Sequence, residues 1–374
     1  MKKKPDNMGR KYIISGGGTG GHIYPALSIA QEIRKRDPGA RILFVGALGR
    51  MEMEKVPAAG FPIIGLPVEG IQRKPGFRNL VVLYKLIISL AKARNIIKSF
   101  RPDVVIGVGG YASGPLLRMA ALKRIPAVIQ EQNSYAGVTN RLLARRVKKI
   151  CVAYEGMEKY FPADKIVMTG NPVREDLINP GIRKSQACEH FSLTPDKPVL
   201  LVLGGSLGAL TLNNSLVHKV NVFEEENIQL LWQTGRLYYK RIQEELDKWE
   251  LKNVKYVDFI NRMDLAYAIA DVIVSRSGAG TISELCLLGK PVILVPSPNV
   301  AEDHQTKNAI ALVKNNAALM VSDADAPGKL VGEAIKLMHD ETLKTTLGNN
   351  CRKMALTGSA AKIVDEIFKL TDAT

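Results

Sequence analysis

A histidine at the mouth of a glycine turn is the residue of this chain best placed for acid–base chemistry. His22 follows Gly16-Gly17-Gly18-Thr19-Gly20-Gly21, which itself ends the apolar run Tyr12-Ile13-Ile14-Ser15. The pattern reads as a buried strand, a tight turn and the start of a helix. Glycines let backbone N–H groups approach a phosphate, and a helix N-terminus adds partial positive charge. The same field favours a neutral imidazole, which can accept a proton. A helix cap is the ordinary alternative role. The position beside a phosphate turn, in a chain with 5 histidines, favours chemistry.

Two further apolar runs end in glycine clusters. Val104 to Val108 leads into Gly109-Gly110-Tyr111-Ala112-Ser113-Gly114-Pro115, and Val199 to Leu203 into Gly204-Gly205-Ser206-Leu207-Gly208-Ala209. Repeated turns of this kind suit more than one phosphate-bearing ligand. The first matches the Gly-x-Gly-x-x-Gly dinucleotide fingerprint, but the second strand ends Phe44-Val45-Gly46-Ala47, with no carboxylate to hold a nicotinamide cofactor's ribose. Hydride transfer therefore loses its support. A carboxylate does follow a strand at Ser275-Arg276-Ser277-Gly278-Ala279-Gly280-Thr281-Ile282-Ser283-Glu284, where Glu284 falls about one turn into a helix and could bond two vicinal hydroxyls. An acid favouring the helix dipole is its ordinary reading. Asp323-Ala324-Asp325 resembles a metal-binding Asp-x-Asp, yet it precedes a helix at about Pro327, where such residues serve as N-terminal caps. No metal site is expected.

The elements that must position these groups alternate along the chain. Strands are expected at 11–15, 41–45, 62–66, 104–108, 126–130, 148–153 and 166–169, then at 199–203, 228–232, 254–257, 272–275, 292–295 and 318–321. Helical patterns fall at 24–36, 79–99, 114–123 and 137–145, then at 208–224, 236–248, 262–269, 280–288, 304–315 and 327–338. The stretch from 342 to 370 reads as one or two helices interrupted near Gly358. Strand–helix alternation means parallel sheets with right-handed crossovers. The expected fold is α/β, with two Rossmann-like domains whose parallel sheets face each other across a cleft. The first spans 1–175 and the second 176–374, and the final helix is free to pack back on the first.

Composition narrows the setting. The chain has 374 residues, 46% hydrophobic and 24% charged, as in a soluble globular protein with room for two cores. Its 4 cysteines form no CxxC pair, so neither a disulfide framework nor a zinc site is expected. The basic start Met1-Lys2-Lys3-Lys4-Pro5-Asp6 lacks an apolar core, so no signal peptide is read there. Residues 1–175 hold 30 Lys and Arg against 12 Asp and Glu, and the remainder holds 22 against 24. One half is therefore built to face something anionic. Nucleic acid would call for aromatics interleaved with basic residues, and the aromatic content is 6% with no such cluster. The segment from Phe77 to Phe100 is apolar on nearly every face and too interrupted to span a bilayer. It reads either as a buried crossover helix or as an edge dipping into lipid headgroups. On the second reading Leu80, Leu83 and Ile87 enter the headgroup layer, and Arg73, Lys74, Arg78 and Lys85 meet anionic lipid.

Taken together, GGGTGGH, GGYASGP, EQN (Glu131-Gln132-Asn133), GNPVR (Gly170 to Arg174), GGSLGA, RSGAGTISE and DHQxxNA occur in that order over almost the whole chain. This series resembles the MurG family of peptidoglycan N-acetylglucosaminyltransferases. The resemblance implies a GT-B fold and inverting transfer of N-acetylglucosamine from UDP-N-acetylglucosamine to the 4-hydroxyl of lipid I, giving lipid II. It implies no cofactor. On the donor side it points to Arg174, Ser206, Ile260, Ala279, Thr281, Glu284, His304 and Gln305. Ile260 would meet uracil through its backbone, Glu284 the ribose and Ser206 a phosphate, while His304 and Gln305 would read the transferred sugar. On the acceptor side it points to Thr19, Gly20, Gly21, His22 and Asn133, with His22 as base. It further implies a peripheral protein at the cytoplasmic face of the bacterial membrane, with anionic phospholipid and cell-wall synthesis or division proteins as partners. A UDP-sugar 2-epimerase, or a transferase with another acceptor, is the alternative that shares the donor half.

Overall fold

The computed structural model describes residues 9–70, 77–173, 177, 182–205, 207–300 and 303–372, with the backbone alone for Phe77 and Arg78. The chain divides into two compact units, Met1–Val173 with Thr357–Thr374, and Arg174–Leu356.

The first unit is built on strands β1 (Lys11–Ser15), β2 (Arg41–Ala47), β3 (Ile63–Leu66), β4 (Val104–Gly107), β5 (Ala127–Glu131), β6 (Lys149–Val152) and β7 (Ile166–Met168). Its helices are α1 (Gly20–Arg36), α2 (Glu52–Ala58), α3 (Phe77–Phe100), α4 (Ser113–Leu122) and α5 (Val138–Leu143). The second unit holds α6 (Lys184–His190), β8 (Val199–Leu203), α7 (Leu210–Val217), α8 (Asn221–Glu225), β9 (Gln229–Gln233), α9 (Tyr239–Leu246), β10 (Val254–Val257), α10 (Met263–Ile269), β11 (Val272–Ser275), α11 (Ala279–Leu288), β12 (Val292–Leu294), α12 (His304–Lys314), β13 (Leu319–Met320), α13 (Ala326–His339) and α14 (Glu341–Lys353). The last helix, α15 (Ser359–Asp372), belongs to the first unit.

All sheet neighbours pair in parallel, in the orders β3-β2-β1-β4-β5-β6-β7 and β10-β9-β8-β11-β12-β13. Each order reverses direction once, between β1 and β4 and between β8 and β11. Ligands bind outside the carboxyl ends of strands at such a switch point. The glycine turns follow β1, β4, β8 and β11, the strands that flank the two reversals.

Strand alternation divides each core into two layers. In the first unit Ile13, Val45, Val105 and Ile129 pack with Ala93, Ile97, Leu116 and Leu117 of α3 and α4. Tyr12, Ile14, Phe44 and Ile106 pack on the other side with Ile23, Ile29 and Ile33 of α1 and Ile363 and Ile367 of α15. Helix α15 is clamped there by the ion pairs Arg36–Asp365 (2.8 Å) and Arg10–Asp372, with both arginines over the Phe368 ring.

Four elements differ from the sequence reading, one of them α6, where no helix was expected. Helix α1 begins at Gly20, four residues before the expected start, because Gly20, Gly21 and His22 form its first turn. The single helix expected over 208–224 is two, α7 and α8. Helix α2, with Pro57 inside it and only two buried side chains, carried no periodic signal.

Helix α3 has two apolar faces, one buried and one exposed. Val82, Ser89, Ala93, Ile96 and Ile97 form the buried stripe, whereas Leu80 (62% exposed), Leu83 (53%), Tyr84 (65%) and Ile87 (59%) form an opposite stripe at i, i+3, i+4 and i+7. The helix buries one face and leaves a second apolar face in solvent. No helix among the described residues is long and apolar enough to cross a membrane.

Candidate functional site

The first cluster lies at the switch point of the first sheet. Thr19 precedes α1 in extended conformation, and its carbonyl accepts the first helical bonds, from His22 N at 3.1 Å and Ile23 N at 3.2 Å. Its hydroxyl lies 3.3 Å from His22 Nδ1. The imidazole lies against the second glycine turn: a Cβ on Gly109 would fall 2.6 Å from His22 Cδ2 and 2.8 Å from Nε2. Gly110 packs on the first turn so closely that a Cβ there would meet the Gly17 carbonyl oxygen at 2.3 Å. Only glycine fits, and its φ of 81° is in the left-handed region that glycine adopts without strain.

The loop after β5 borders the same turn. Gln132 Nε2 donates to the Val108 carbonyl at 2.6 Å. Asn133 is held by Glu131, whose carboxylate accepts from Asn133 N (3.2 Å), Asn133 Nδ2 (3.3 Å), Gly137 N (3.0 Å) and Asn140 Nδ2 (2.8 Å). Burial holds the Glu131 carboxyl above its ordinary range, against the pull of these donors. Thr19, Gly20, Gly21 and His22 are thus gathered on the two glycine turns, and Asn133 sits on the adjoining loop.

The second cluster lies at the switch point of the second sheet. Glu284, on α11, accepts from the buried Tyr267 hydroxyl of α10 at 3.0 Å. Ala279 and Thr281 lie in the first turn of the same helix. His304 and Gln305 open α12. Ser277 Oγ donates to the Gln305 carbonyl at 2.9 Å, and Gln305 Oε1 accepts from Ser297 N at 2.9 Å, so the starts of α11 and α12 are tied together. The buried Gln233, at the end of β9, makes a second tie. Its Nε2 donates to the Gly205 carbonyl and its Oε1 accepts from Ile260 N, each at 2.9 Å. The Ile260 N–H, read from the sequence as a contact for a base, is thus engaged within the protein.

Arg73, Lys74, Arg174 and Ser206 lie outside the described residues, as does the side chain of Arg78. Lys85, expected to face lipid, pairs with Glu69 at 2.5 Å because its place on α3 turns it toward the loop after β3. The Asp-x-Asp carboxylates are engaged inside the second unit. Asp323 accepts from Arg276 Nη1 (2.5 Å) and Thr211 Oγ1 (2.9 Å), and Asp325 from Ser322 Oγ (2.8 Å), with Lys329 at 3.3 Å.

Sequence reasoning missed Glu52, Gln233 and Tyr267. Gln233 carried a usable signal, a polar residue ending the apolar strand Leu230-Leu231-Trp232 at the carboxyl edge where ligands bind. Glu52 and Tyr267 carried none, since their partners lie on other elements.

Two doubly wound parallel sheets, with glycine turns and polar strand ends at each switch point, define the GT-B class of glycosyltransferase fold. Residues 12–152 match the glycosyltransferase family 28 N-terminal domain and residues 199–366 the glycosyltransferase family 28 C-terminal domain. A UDP-N-acetylglucosamine--N-acetylmuramyl-(pentapeptide) pyrophosphoryl-undecaprenol N-acetylglucosamine transferase of Parabacteroides distasonis is 58% identical over 365 residues, 97% of this chain and 99% of that protein. A Bacteroides fragilis protein of the same name is 55% identical over 376 residues, 99% of each chain. Among solved structures, Acinetobacter baumannii MurG aligns with a TM-score of 0.73 at 27% identity, over 96% of this chain and 99% of that one. A UDP-N-acetylglucosamine 2-epimerase aligns with a TM-score of 0.66 at 14% identity, over 96% of this chain and 95% of that one, a likeness of fold alone. The chain belongs to glycosyltransferase family 28 and, within it, to the MurG family.

Proposed function

We propose that the protein transfers N-acetylglucosamine from UDP-N-acetylglucosamine to the 4-hydroxyl of the N-acetylmuramoyl unit of lipid I, with inversion, forming lipid II. The observation that carries this is the 58% identity, over nearly the whole of both chains, to a transferase of that name. The second unit takes the donor: Glu284 bonds the ribose hydroxyls, the β8 turn with Ser206 receives the diphosphate, and His304 and Gln305 read the sugar. The loop at Ile260 receives uracil, either beside Gln233 or in its place. The first unit takes the acceptor on Thr19, Gly20, Gly21, His22 and Asn133.

The acceptor oxygen attacks the anomeric carbon while the bond from that carbon to the diphosphate oxygen breaks. UDP leaves with the electron pair, and His22 takes the hydroxyl proton. Backbone N–H groups of the β8 turn, the start of α11 and Arg174 stabilise charge growing on the diphosphate. Transfer of radiolabelled sugar from UDP-N-acetylglucosamine to a short-chain lipid I analogue, with UDP-N-acetylgalactosamine as control, tests the reading. No labelled product, or equal use of both donors, would overturn it.

Asp323 and Asp325 have partners in Arg276, Thr211, Ser322 and Lys329, which suits a structural role for this Asp-x-Asp, and transfer is expected to need no divalent metal there. Activity is expected to persist in excess EDTA. Its loss, with recovery on adding magnesium or manganese, would return these aspartates to the site.

The acceptor's polyprenyl chain anchors it in lipid, so the enzyme works at the cytoplasmic face of the membrane as a peripheral protein. The exposed stripe of Leu80, Leu83, Tyr84 and Ile87 suits partial burial among headgroups, and the basic first unit suits anionic phospholipid. Leu80→Asp combined with Leu83→Asp is expected to weaken binding to phosphatidylglycerol vesicles while leaving UDP binding and the circular dichroism spectrum unchanged, since both side chains lie outside the core. Wild-type binding should fall as salt rises. Equal sedimentation of wild type and variant would remove this stripe from the membrane contact.

A further inference from the structure

Glu52 lies on α2, outside every motif of the family resemblance, and is fully buried (0% exposed). A carboxylate in that position demands donors, since an unpaired buried charge is strongly unfavourable. Both oxygens are satisfied by main chain. Oε1 accepts from Ala47 N and Oε2 from Gly18 N, each at 2.9 Å. The carboxylate therefore ties the end of β2 to the middle of the first glycine turn. Two glycines make room for it: a Cβ on Gly17 would fall 2.1 Å from Glu52 Oε1, and one on Gly46 would fall 2.6 Å from Glu52 Cγ. The three atoms nearest to the Gly17 position all belong to Glu52. An acid at the end of the second strand is thus present after all, supplied five residues later and turned inward onto main-chain N–H groups rather than toward a cofactor ribose.

The tie leads directly to the proposed base. Gly18 precedes Thr19, whose carbonyl starts α1 at His22 and whose hydroxyl lies 3.3 Å from His22 Nδ1. Gly110 presses on the same turn at Gly17 from the β4 side. The turn is held between these supports, and Glu52 is the one that bonds it.

We propose that Glu52 is a positioning residue for transfer: its carboxylate, by holding the Gly18 N–H, sets the turn that aims His22 at the acceptor hydroxyl. The proposal rests on His22 as base. A bidentate carboxylate suits the task because charge-assisted bonds to two N–H groups are short and directional. Glutamine keeps the shape but brings an N–H₂ group against one of the two donors.

The test uses the full-length protein. Glu52→Gln is expected to lower kcat roughly ten- to hundredfold, the range that a misplaced catalytic group produces. KM for UDP-N-acetylglucosamine and UDP affinity by calorimetry should stay unchanged, because the donor elements belong to the second unit. Gly17→Ala should reproduce the loss by displacing the carboxylate, whose atoms are the nearest to the added methyl, with no penalty from a left-handed backbone. In a His22→Ala background Glu52→Gln should cost nothing further, because a residue acting through His22 has nothing left to act on. Wild-type kcat in both single variants would overturn the proposal, and so would full additivity with His22→Ala or a parallel loss of UDP affinity. Should Glu52→Gln fail to fold, Gly17→Ala decides by the same measurements. A wild-type protein that does not transfer sugar would instead defeat the proposed function, a separate outcome.

Discussion

Replacing His22 by alanine should lower kcat by about 10²–10⁴-fold, the contribution of a positioned general base. The 4-hydroxyl of a sugar is a poor nucleophile until its proton has somewhere to go. His22 stands in the first turn of α1, with its ring against the second glycine turn. The tautomer that donates from Nδ1 to the Thr19 hydroxyl leaves the lone pair on Nε2, the nitrogen beside Gly109. Donor affinity should be untouched. Steady-state kinetics with saturating lipid I analogue, and calorimetry with UDP, separate the two effects. A variant within threefold of wild-type kcat would remove His22 from the chemistry. So would a loss confined to donor KM.

Glu284→Ala should cost about 2–4 kcal/mol in kcat/KM for the donor, roughly thirty- to several-hundredfold. Hydrogen bonds to a carboxylate are stronger than neutral ones, and a vicinal diol can make two of them at once. Tyr267, bonded to Glu284 Oε2 at 3.0 Å, fixes the direction in which the carboxylate points. Tyr267→Phe should give a smaller loss, of about 1 kcal/mol, expressed in KM rather than kcat. The two losses should not add, because Tyr267 acts through Glu284. A 2′-deoxyuridine donor should shrink both. Wild-type kcat/KM in Glu284→Ala, or an undiminished Glu284→Ala loss with the deoxy donor, would move the ribose contact elsewhere.

Much of the architecture is local information. The runs Ile13-Ile14, Val104-Val105-Ile106, Leu200-Leu201-Val202-Leu203 and Val272-Ile273-Val274 are apolar and mostly β-branched, and each stops at a turn-forming residue. Strand identity, strand ends and the glycine turns are legible because the responsible side chains are consecutive. His22, Thr281 and Glu284 stand out as candidates for the same reason, since each stands at a fixed offset from such a turn.

Helix α3 marks the limit of that information. Apolar residues surround it, so periodicity cannot tell its two faces apart. Only packing assigned Val82, Ser89 and Ala93 to the core and left Leu80, Leu83 and Ile87 in solvent. The support beneath the sites lies further beyond reach. Glu52 meets Gly18 across 34 positions, Gln233 meets Ile260 across 27, and Tyr267 meets Glu284 across 17. Each pair forms because the strand orders β3-β2-β1-β4 and β10-β9-β8-β11 bring the ends of particular strands side by side. Strand order is set by how crossover helices cover both faces of a sheet, a property of the whole unit. The sequence by itself therefore determined which residues are candidates for the chemistry. The tertiary structure decided what holds them, because a buried carboxylate or amide takes its partners from whichever strand end the winding sets beside it.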